Sequence, residues 1–279
     1  MTTYQSNAPS LWQSQLPKPN ATSHKYSRGY VLVQGGYPTT GAARLAAFAA
    51  ARTGAGITAI AVPEAALPIY ASQLLSIMAK PYSTIEELET LIKDKRIGAL
   101  LIGPGAGVTE ATYHTTLTML DTGKPVVIDA DALTAFAAQA TQLKDAIKAP
   151  CIMTPHDGEF ERLFGVAPAR QRNDRIQQTL TAARQTGAVI LLKGAQTVIA
   201  APDGRVIVNE DAPATLATAG AGDVLAGIIT SLLSQGMPAL EAAAAGVWIH
   251  SEAARMFGIG LIADDLPDFI PAALAQLLA

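Results

Sequence analysis

Short runs of apolar residues recur along the chain, and each run ends at a residue type that commonly contacts ligands. The runs lack the polar alternation of a half-exposed strand, so helices are expected to cover both faces of each strand. Residues 30–34, 41–52 and 57–62 indicate a strand, a helix and a strand, which form one βαβ unit. The later runs and the residues that follow them are 99–102 before Gly103, 126–128 before Asp129, 151–153 before Thr154 and 189–192 before Lys193.

The carboxyl ends of parallel strands meet along one edge of a sheet, so we expect these polar ends to converge on a single site. Residues 197–200 and 205–208 flank a turn at Asp203 and Gly204, which predicts a hairpin that adds antiparallel strands. The predicted fold is therefore an α/β domain of three layers, α/β/α, with a mostly parallel central sheet. Further helices are predicted at 224–233, 241–254 and 268–278.

The composition favours one large domain and excludes several functional classes. The chain has 279 residues, of which 49% are hydrophobic, and this is enough for a sizeable core. The net charge is -3 and the few basic residues are scattered, so no nucleic-acid partner is expected. The sequence has neither an apolar run of transmembrane length nor a signal-like N-terminus, so we expect a cytoplasmic protein with no membrane partner.

Residues 1–22 are rich in Ser, Gln, Asn and Pro and are predicted to form an N-terminal arm, either mobile or strapped over a neighbouring subunit. The domain itself is predicted to span residues 23–279. The single cysteine, Cys151, lies in an apolar run and is expected to be a small core residue rather than a nucleophile. The four histidines include no closely spaced pair, which argues against a zinc site.

The segment from Ala217 to Asp223 is the strongest functional signal in the sequence. Gly220 and Gly222 allow the backbone to turn tightly near a ligand, and Asp223 lies at the start of a well-marked helix. Unpaired amides at a helix N-terminus can bind a phosphate, and Asp223 could then take a proton from a hydroxyl during phosphoryl transfer. The alternative is that Asp223 only caps a core helix. The predicted anion loop consists of Ala219, Gly220, Ala221 and Gly222.

Two aspartates follow the strand at 126–128. Asp129 and Asp131 are two residues apart, so their side chains would point the same way in an extended segment. Asp129 is a candidate ligand of a hydrated Mg²⁺, which typically uses one or two carboxylates together with phosphate oxygens. For Asp131 we favour a cap of a helix that begins at Ala132.

Residues 154–160 and 193–197 contain further candidate groups. His156 is placed to donate a hydrogen bond to a substrate, and Glu159 begins a helix where it could hold metal-bound water. A capping arrangement with a structural Glu159 is the alternative, and it does not exclude the first interpretation. Lys193 could neutralise a phosphate, and Gly194 permits a nucleotide to approach the backbone closely. The alternative for Lys193 is an ordinary solvated lysine.

The order of these segments resembles the ADP/ATP-dependent NAD(P)H-hydrate dehydratases of the ribokinase-like superfamily, over about residues 24–255. Each motif alone is a weak signal, but the combination is specific. The motifs are Gly103-Pro-Gly-Ala-Gly, Asp129-Ala-Asp-Ala-Leu, Thr154-Pro-His-Asp-Gly-Glu, Lys193-Gly-Ala-Gln-Thr and Ala221-Gly-Asp-Val-Leu-Ala-Gly, with the opening segments 24–30 and 41–47.

The resemblance implies a ribokinase-like fold and the repair of hydrated NADH and NADPH. ADP or ATP would phosphorylate the ring hydroxyl of the hydrate, and elimination of phosphate would restore the cofactor. Asp223 would be the catalytic base, amides at Gly220 and Gly222 would stabilise the phosphoryl group, and Mg²⁺ would bridge phosphates. The implied nucleotide contacts are Lys193, Gly194, Ala195, Gln196, Thr197 and Gly222, and the implied contacts of the hydrated cofactor are Ala43, Gly107, His156 and Asp223.

The resemblance also implies a homotetramer, ADP as the usual bacterial donor, and a separate epimerase acting upstream. The chain departs from the family at Ala219 and Ala221, where glycine and a hydroxyl residue are usual, at Asp157, and over 209–213. An alanine methyl group could narrow the anion loop or restrict its φ angles, which would affect turnover more than the fold. Two other functions stay open: a superfamily kinase acting on a vitamin precursor, and a nucleotide-binding sensor without turnover.

Overall fold

The computed structural model describes residues 3–278 of the chain. Within these residues, ten strands form one sheet and eleven α-helices accompany it. The strands are β1 (Gln5–Ser6), β2 (Tyr30–Gln34), β3 (Ile57–Pro63), β4 (Met78–Tyr82), β5 (Ala99–Ile102), β6 (Val126–Ile128), β7 (Cys151–Met153), β8 (Val189–Leu192), β9 (Thr197–Ala200) and β10 (Val206–Asn209). The helices are α1 (Gly41–Arg52), α2 (Leu67–Ala71), α3 (Ile85–Ile92), α4 (Glu110–Asp121), α5 (Ala130–Ala135), α6 (Ala140–Ala146), α7 (Asp157–Phe164), α8 (Arg172–Thr186), α9 (Ala221–Ser234), α10 (Ala239–Phe257) and α11 (Leu266–Leu278).

The strand order is β1-β10-β9-β8-β7-β6-β5-β2-β3-β4. Neighbouring strands are parallel, except that β9 is antiparallel to both β8 and β10. The predicted hairpin is confirmed: Val206 pairs with Ala200, so its second strand begins one residue later than expected. β2 pairs with β3 on one side and with β5 on the other. The chain adds β3 and β4 on the first side and then returns to add β5 on the second, and such a reversal of strand order opens a crevice at the carboxyl ends of the strands.

Alternate residues of each strand pack into two apolar cores on opposite faces of the sheet. Val31 and Val33 of β2 face the core beneath α1, α9, α10 and α11, whereas Tyr30 and Leu32 face the core beneath α3 to α8. The predicted three-layer architecture with a mostly parallel sheet is confirmed. Cys151 is buried in the second core, and burial raises the pKa of its thiol to about 12, which confirms the expected core role.

Part of the predicted N-terminal arm belongs to the body of the domain. The short strand β1 pairs with β10, and the Asn7 side chain donates to the Ala244 carbonyl oxygen at 2.9 Å. Trp12 is fully buried, and its ring centroid lies 5.9 Å from that of Trp248 on α10. The expectation of a mobile or intersubunit arm therefore does not hold for residues 5–16. The polar composition of this segment concealed the large side chain of Trp12, which packs against Trp248 more than 200 residues later in the sequence.

The edge strand β4 is the main strand that the sequence analysis does not predict. Its residues Met78, Lys80 and Pro81 do not form an apolar run, because the strand is paired on one side only and is partly exposed. In the described residues 3–278, no helix is both long enough and apolar enough to cross a membrane.

Helices α1 and α9 touch through their backbones, and this contact positions the helix that carries Asp223. A Cβ atom added to Gly227 of α9 would lie 2.1 Å from the carbonyl oxygen of Ala46 on α1. The facing residues of α1, including Ala49 and Ala50, are small and fully buried, so the two helices can approach closely. The spacing between the helices therefore depends on the absence of side-chain volume at Gly227.

The substitution Gly227→Ala is expected to lower the free energy of unfolding by about 1–3 kcal/mol, because the methyl group meets a backbone oxygen that cannot rotate away. Urea unfolding of the two proteins measures the difference. Gly41→Ala on α1 is the matched control, since nothing lies within 4 Å of its added Cβ atom and alanine favours a helix. Equal losses of stability in both variants would contradict the assigned helix contact.

Candidate active site

Two glycine-rich turns meet where the strand order reverses. Residues 35–36 follow β2, and residues 103–107 follow β5. A Cβ atom added to Gly36 would lie only 1.6 Å from the Gly105 carbonyl oxygen, so the two turns touch backbone to backbone. The buried hydroxyl of Tyr70 accepts a hydrogen bond from the Gly36 amide at 3.1 Å and donates to its carbonyl oxygen at 2.9 Å. The two turns form the floor of the crevice, and Gly36 is thus fixed both by its contact with Gly105 and by the Tyr70 hydroxyl.

The residues after β6 turn sharply at Ala130, whose φ of 48° lies in the left-handed region. Asp129 and Asp131 therefore point in different directions, and the expectation that they point the same way is wrong. Asp129 Oδ1 accepts hydrogen bonds from the Thr154 hydroxyl at 2.7 Å and from Lys193 Nζ at 2.9 Å. Asp129 thus joins the carboxyl ends of three neighbouring strands, β6, β7 and β8.

Asp131 supports the glycine turn after β5. Its Oδ2 accepts a hydrogen bond from the Gly107 amide at 2.8 Å, while the Gly107 carbonyl oxygen accepts one from the Thr112 hydroxyl at 2.7 Å. The expected helix cap by Asp131 is wrong, because α5 begins at Ala130 and Asp129 occupies the N-cap position. The sequence could not reveal this contact, which joins residues 24 positions apart.

Lys193 lies between two carboxylates at the end of β8. Its Nζ is 2.9 Å from Asp129 Oδ1 and 3.7 Å from Glu159 Oε2, and its side chain is 21% exposed. Burial is the largest effect and lowers the pKa of Lys193, but the charges of Asp129 and Glu159 together raise it above its ordinary value. Lys193 is therefore a largely buried, ion-paired cation, and the alternative of an ordinary solvated lysine is wrong.

His156 and Glu159 form the capping arrangement at the start of α7. His156 Nδ1 accepts hydrogen bonds from the amides of Gly158 at 3.0 Å and Glu159 at 3.3 Å, and Glu159 Oε2 accepts one from the His156 amide at 2.8 Å. The capping alternative is thus confirmed. Because Nδ1 is an acceptor, the proton of the neutral ring lies on Nε2. Nε2 lies 3.3 Å from Glu159 Oε1 on a half-exposed side chain, so a ligand would have to compete with Glu159 for this donor.

The first turn of α9 presents backbone amides to the crevice. Gly220 occupies the N-cap position with a φ of 89°, and no side chain within residues 3–278 caps the helix. Among the residues that the structure describes, the non-glycine residues with positive φ are Ala130 and Ala138. Ala219 and Ala221 therefore take ordinary backbone angles, and the expected restriction of the anion loop by their φ angles is wrong.

Asp223 lies in the first turn of α9. Burial raises the pKa of its carboxyl to about 7, the charges of Asp129, Asp131 and Glu159 add to this effect, and Lys193 opposes it. The single positive charge of Lys193 is therefore outnumbered by the carboxylates around Asp223. A carboxyl that titrates near neutrality is suited to taking a proton from a substrate.

A cavity of about 680 Å³ lies beside Lys193 and the start of α9. This volume is within the range of small-molecule sites, which is about 300–1,000 Å³. The side chain of Gln196 accepts a hydrogen bond from Arg172 at 3.2 Å, and Gln196 does not line the cavity. His156 lies in the wall beside Lys193. The other predicted nucleotide contacts all line the cavity, namely Lys193, Gly194, Ala195, Thr197 and Gly222.

Residues 30–268 match a family model described as NAD(P)H-hydrate dehydratase. The chain belongs to this family. It is 41% identical over 280 residues to a bifunctional NAD(P)H-hydrate repair enzyme of Moorella thermoacetica, which covers 95% of this chain and 53% of that protein. An ADP-dependent (S)-NAD(P)H-hydrate dehydratase of Neisseria meningitidis is 40% identical over 237 residues, with 83% of this chain and 78% of that protein covered. The sequence-based recognition is confirmed.

A solved structure supports the same assignment. The crystal structure of the ADP/ATP-dependent NAD(P)H-hydrate dehydratase of Bacillus subtilis, co-crystallised with ATP/Mg²⁺, matches with a TM-score of 0.85 at 29% identity. The match covers 99% of this chain and 100% of the other. The chain spans about half the length of the bifunctional relatives from Moorella thermoacetica and Salinibacter ruber.

Several residues of the dehydratase-family site lie outside the sequence motifs. Arg175 of α8 is buried and donates to Asp157 Oδ1 at 2.7 Å and to the Lys193 carbonyl oxygen at 2.8 Å. Residues 212–217 and the α10 residues His250 and Ser251 complete the cavity wall. For residues 212–217, the only sequence signal is that 209–213 departs from the family pattern. Arg175, His250 and Ser251 carry no such signal, because they belong to helices that are distant from the motifs in sequence.

Two predicted roles receive little support from the geometry. Ala43 is completely buried in α1, and its contact with substrate stays a prediction from the resemblance. Asp129 and Glu159 both face the ammonium of Lys193, which offsets part of their negative charge. In the described part of the chain, no group of three or more His, Cys, Asp and Glu residues could hold a metal ion.

The substitution Asp223→Asn is expected to change how stability depends on pH. The pKa of Asp223 is about 7 in the folded protein against 3.8 ordinarily, so the unfolded chain releases this proton first as the pH rises. The wild-type carboxyl therefore lowers stability between these two pH values, and the effect is complete above the folded pKa. Asparagine does not titrate, so the variant should gain about 2–3 kcal/mol relative to wild type between about pH 5 and pH 8.

Urea unfolding at several pH values measures this difference. Asp264→Asn, which alters an exposed aspartate, is the matched control and should show no such gain. A constant difference between Asp223→Asn and wild type across the pH range would show that the carboxyl is not raised toward neutrality.

Proposed function

We propose that the protein is an ADP-dependent (6S)-NAD(P)H-hydrate dehydratase that restores NADH and NADPH and forms AMP and phosphate. The observation that carries this proposal is the position of Asp223, a carboxyl with a pKa of about 7 in the uncapped first turn of α9. Lys193 and a nucleotide-sized cavity lie beside it. The family assignment and the name of the Neisseria meningitidis relative support the same reaction.

In this proposal the nucleotide occupies the cavity with its phosphates toward Lys193 and Gly222. A Cβ atom on Gly222 would lie 3.3 Å from Lys193 Nζ, so the ammonium and the first amides of α9 face a common space. Phosphate oxygens between them would receive both a positive charge and amide hydrogen bonds. The donors are in place before the reaction, which is the arrangement that stabilises a transferring phosphoryl group.

The hydrated cofactor would lie on the other side of Asp223, toward the turn at 103–107. Asp131 contributes to the raised pKa of Asp223 and holds the Gly107 amide, so this turn and Asp223 face the same region. Gly107 would contact the cofactor through its backbone. His156, in the wall beside Lys193, would donate from Nε2 where the two ligands meet.

The chemistry follows from the poor leaving ability of hydroxide. Asp223 takes the proton of the ring hydroxyl as the hydroxyl oxygen forms a bond to the terminal phosphorus of ADP, and AMP leaves. The resulting phosphate ester then breaks at its carbon–oxygen bond. Phosphate departs while the neighbouring ring carbon loses a proton, and the dihydropyridine is restored.

Mg²⁺ belongs to this proposal only as a companion of the nucleotide phosphates. The two carboxylates first considered as ligands, Asp129 and Glu159, are paired with Lys193, so the site does not fit a metal held by the protein alone. The homotetramer and the separate epimerase stay predictions from the resemblance, and the cytoplasmic location stays a prediction from the sequence.

The test mixes the purified protein with enzymatically hydrated NADH, Mg²⁺ and either ADP or ATP, and follows the return of NADH absorbance. Wild-type protein should restore NADH only when nucleotide is present, with ADP as the better donor. Asp223→Asn should lower turnover by about 10²–10⁴-fold, because the base is lost. Calorimetry should show that ADP affinity is almost unchanged, because the amides and Lys193 remain.

The outcomes separate the competing functions. A stable phosphorylated product without NADH recovery would indicate a small-molecule kinase, and ADP binding without any product would indicate a sensor. Normal turnover by Asp223→Asn would refute the assigned base.

His156 provides a test that separates capping from contact with a ligand. Asparagine at this position can still accept the amide hydrogen bonds of α7, but it removes the Nε2 donor. His156→Asn is therefore expected to keep the stability of the wild type and to lower kcat/KM about tenfold, the effect of one hydrogen bond to a charged group. His156→Ala should show the same kinetic loss and also lose about 1 kcal/mol of stability.

Urea unfolding and the NADH-recovery assay measure the two effects separately. If both variants retain wild-type kcat/KM, His156 serves only as a helix cap.

A further inference from the structure

One part of the nucleotide cavity is apolar except for two buried polar side chains. His250 and Ser251 follow each other on α10 and are only 6% and 2% exposed. Within residues 3–278, neither His250 Nε2 nor Ser251 Oγ has a hydrogen-bond partner. Many of the other side chains that line the same cavity are apolar, among them Pro213, Leu216, Leu225 and Val247.

Two unpaired polar atoms in apolar surroundings are costly. A buried donor or acceptor without a partner costs about 1–3 kcal/mol, and most buried polar groups are therefore paired. A ligand that brings matching polar groups into this part of the cavity would remove the cost. The unpaired atoms thus indicate a ligand whose apolar body carries a polar edge.

The protonation of His250 defines the group it offers. Burial lowers the pKa of the ring to about 4, so it is neutral at physiological pH, and the backbone of Ala221 favours a proton on the ring. Among the described residues, Nε2 has no hydrogen-bond partner, so it is available to a ligand. We infer the tautomer with its proton on Nδ1, which makes Nε2 a hydrogen-bond acceptor.

We propose that His250 and Ser251 recognise the polar edge of the adenine base, with His250 Nε2 accepting a hydrogen bond from the exocyclic amino group. This inference rests on the proposed nucleotide site and extends it to the choice of base. Lys193 and Gly222 provide the charge and the amides for phosphates in the same cavity, so the apolar part is left for the base. The Ser251 hydroxyl can donate to a ring nitrogen of the base.

The proposal predicts discrimination against hypoxanthine. That base has the shape of adenine, but a carbonyl oxygen replaces the amino group. His250 Nε2 would then face a second acceptor, so neither group would be satisfied. ADP should therefore bind more tightly than IDP, although the phosphates and the sugar of the two nucleotides are identical.

The experiment measures the dissociation constants of ADP and IDP for the protein by calorimetry, which requires no turnover. Wild type should bind ADP at least about tenfold more tightly than IDP, the discrimination of one satisfied hydrogen bond. His250→Phe should reduce the preference to less than about threefold, mainly through weaker ADP binding. Ser251→Ala should weaken ADP binding about threefold to tenfold. His114→Phe, on the exposed face of α4, is the matched control and should leave both constants unchanged.

Equal affinity of wild type for ADP and IDP would overturn the proposal, and so would a full preference for ADP in His250→Phe. If that variant fails to fold in a thermal scan, Ser251→Ala decides: weaker ADP binding supports the proposal, and unchanged binding overturns it. A preference for ADP in a protein without dehydratase activity would refute the proposed reaction but leave this inference standing.

Discussion

The buried contact of Lys193 with Asp129 and Glu159 is the interaction on which the site depends. It joins the ends of β6 and β8 to the first turn of α7, and the Thr154 hydroxyl adds the end of β7. Removal of Lys193 would leave two largely buried carboxylates without the cation that they share, which is strongly destabilising. The same cluster controls Asp223, because its carboxylates outnumber the single ammonium and help to raise the pKa of the neighbouring carboxyl.

The backbone contacts around this cluster determine where the reacting groups lie. Gly36 touches Gly105 across the reversal of strand order, and Gly227 lets α9 approach α1. Neither contact has room for a side chain, so the crevice floor and the helix that carries Asp223 are positioned by main-chain atoms. Such contacts are rigid because the backbone cannot change rotamer, and this rigidity suits a site that must hold amides ready for a phosphoryl group.

Much of the site could be predicted because its residues follow strands. Lys193 and Asp129 stand directly after apolar runs, and the carboxyl ends of parallel strands meet along one edge whatever the lengths of the connecting helices. The directions of side chains could not be predicted. Asp131 accepts a hydrogen bond from the Gly107 amide because the backbone of Ala130 takes a left-handed conformation. An alanine in the sequence does not predict such a conformation. The packing of Trp12 against Trp248 could not be predicted either, because the composition of residues 1–22 does not show which distant residues they contact.

The amino-acid sequence by itself determined the layered fold, the order of its motifs and the family, because apolar runs, glycines and strand-end residues are recognised from neighbouring positions in the sequence. Only the tertiary structure decided which groups are neutralised, raised in pKa or left unpaired. Lys193 became a largely buried cation, and Asp223 became a carboxyl with a pKa of about 7. His250 became a buried ring whose Nε2 has no hydrogen-bond partner within residues 3–278. These properties arise from burial and from charges brought together across long sequence separations, which no run of neighbouring residues encodes.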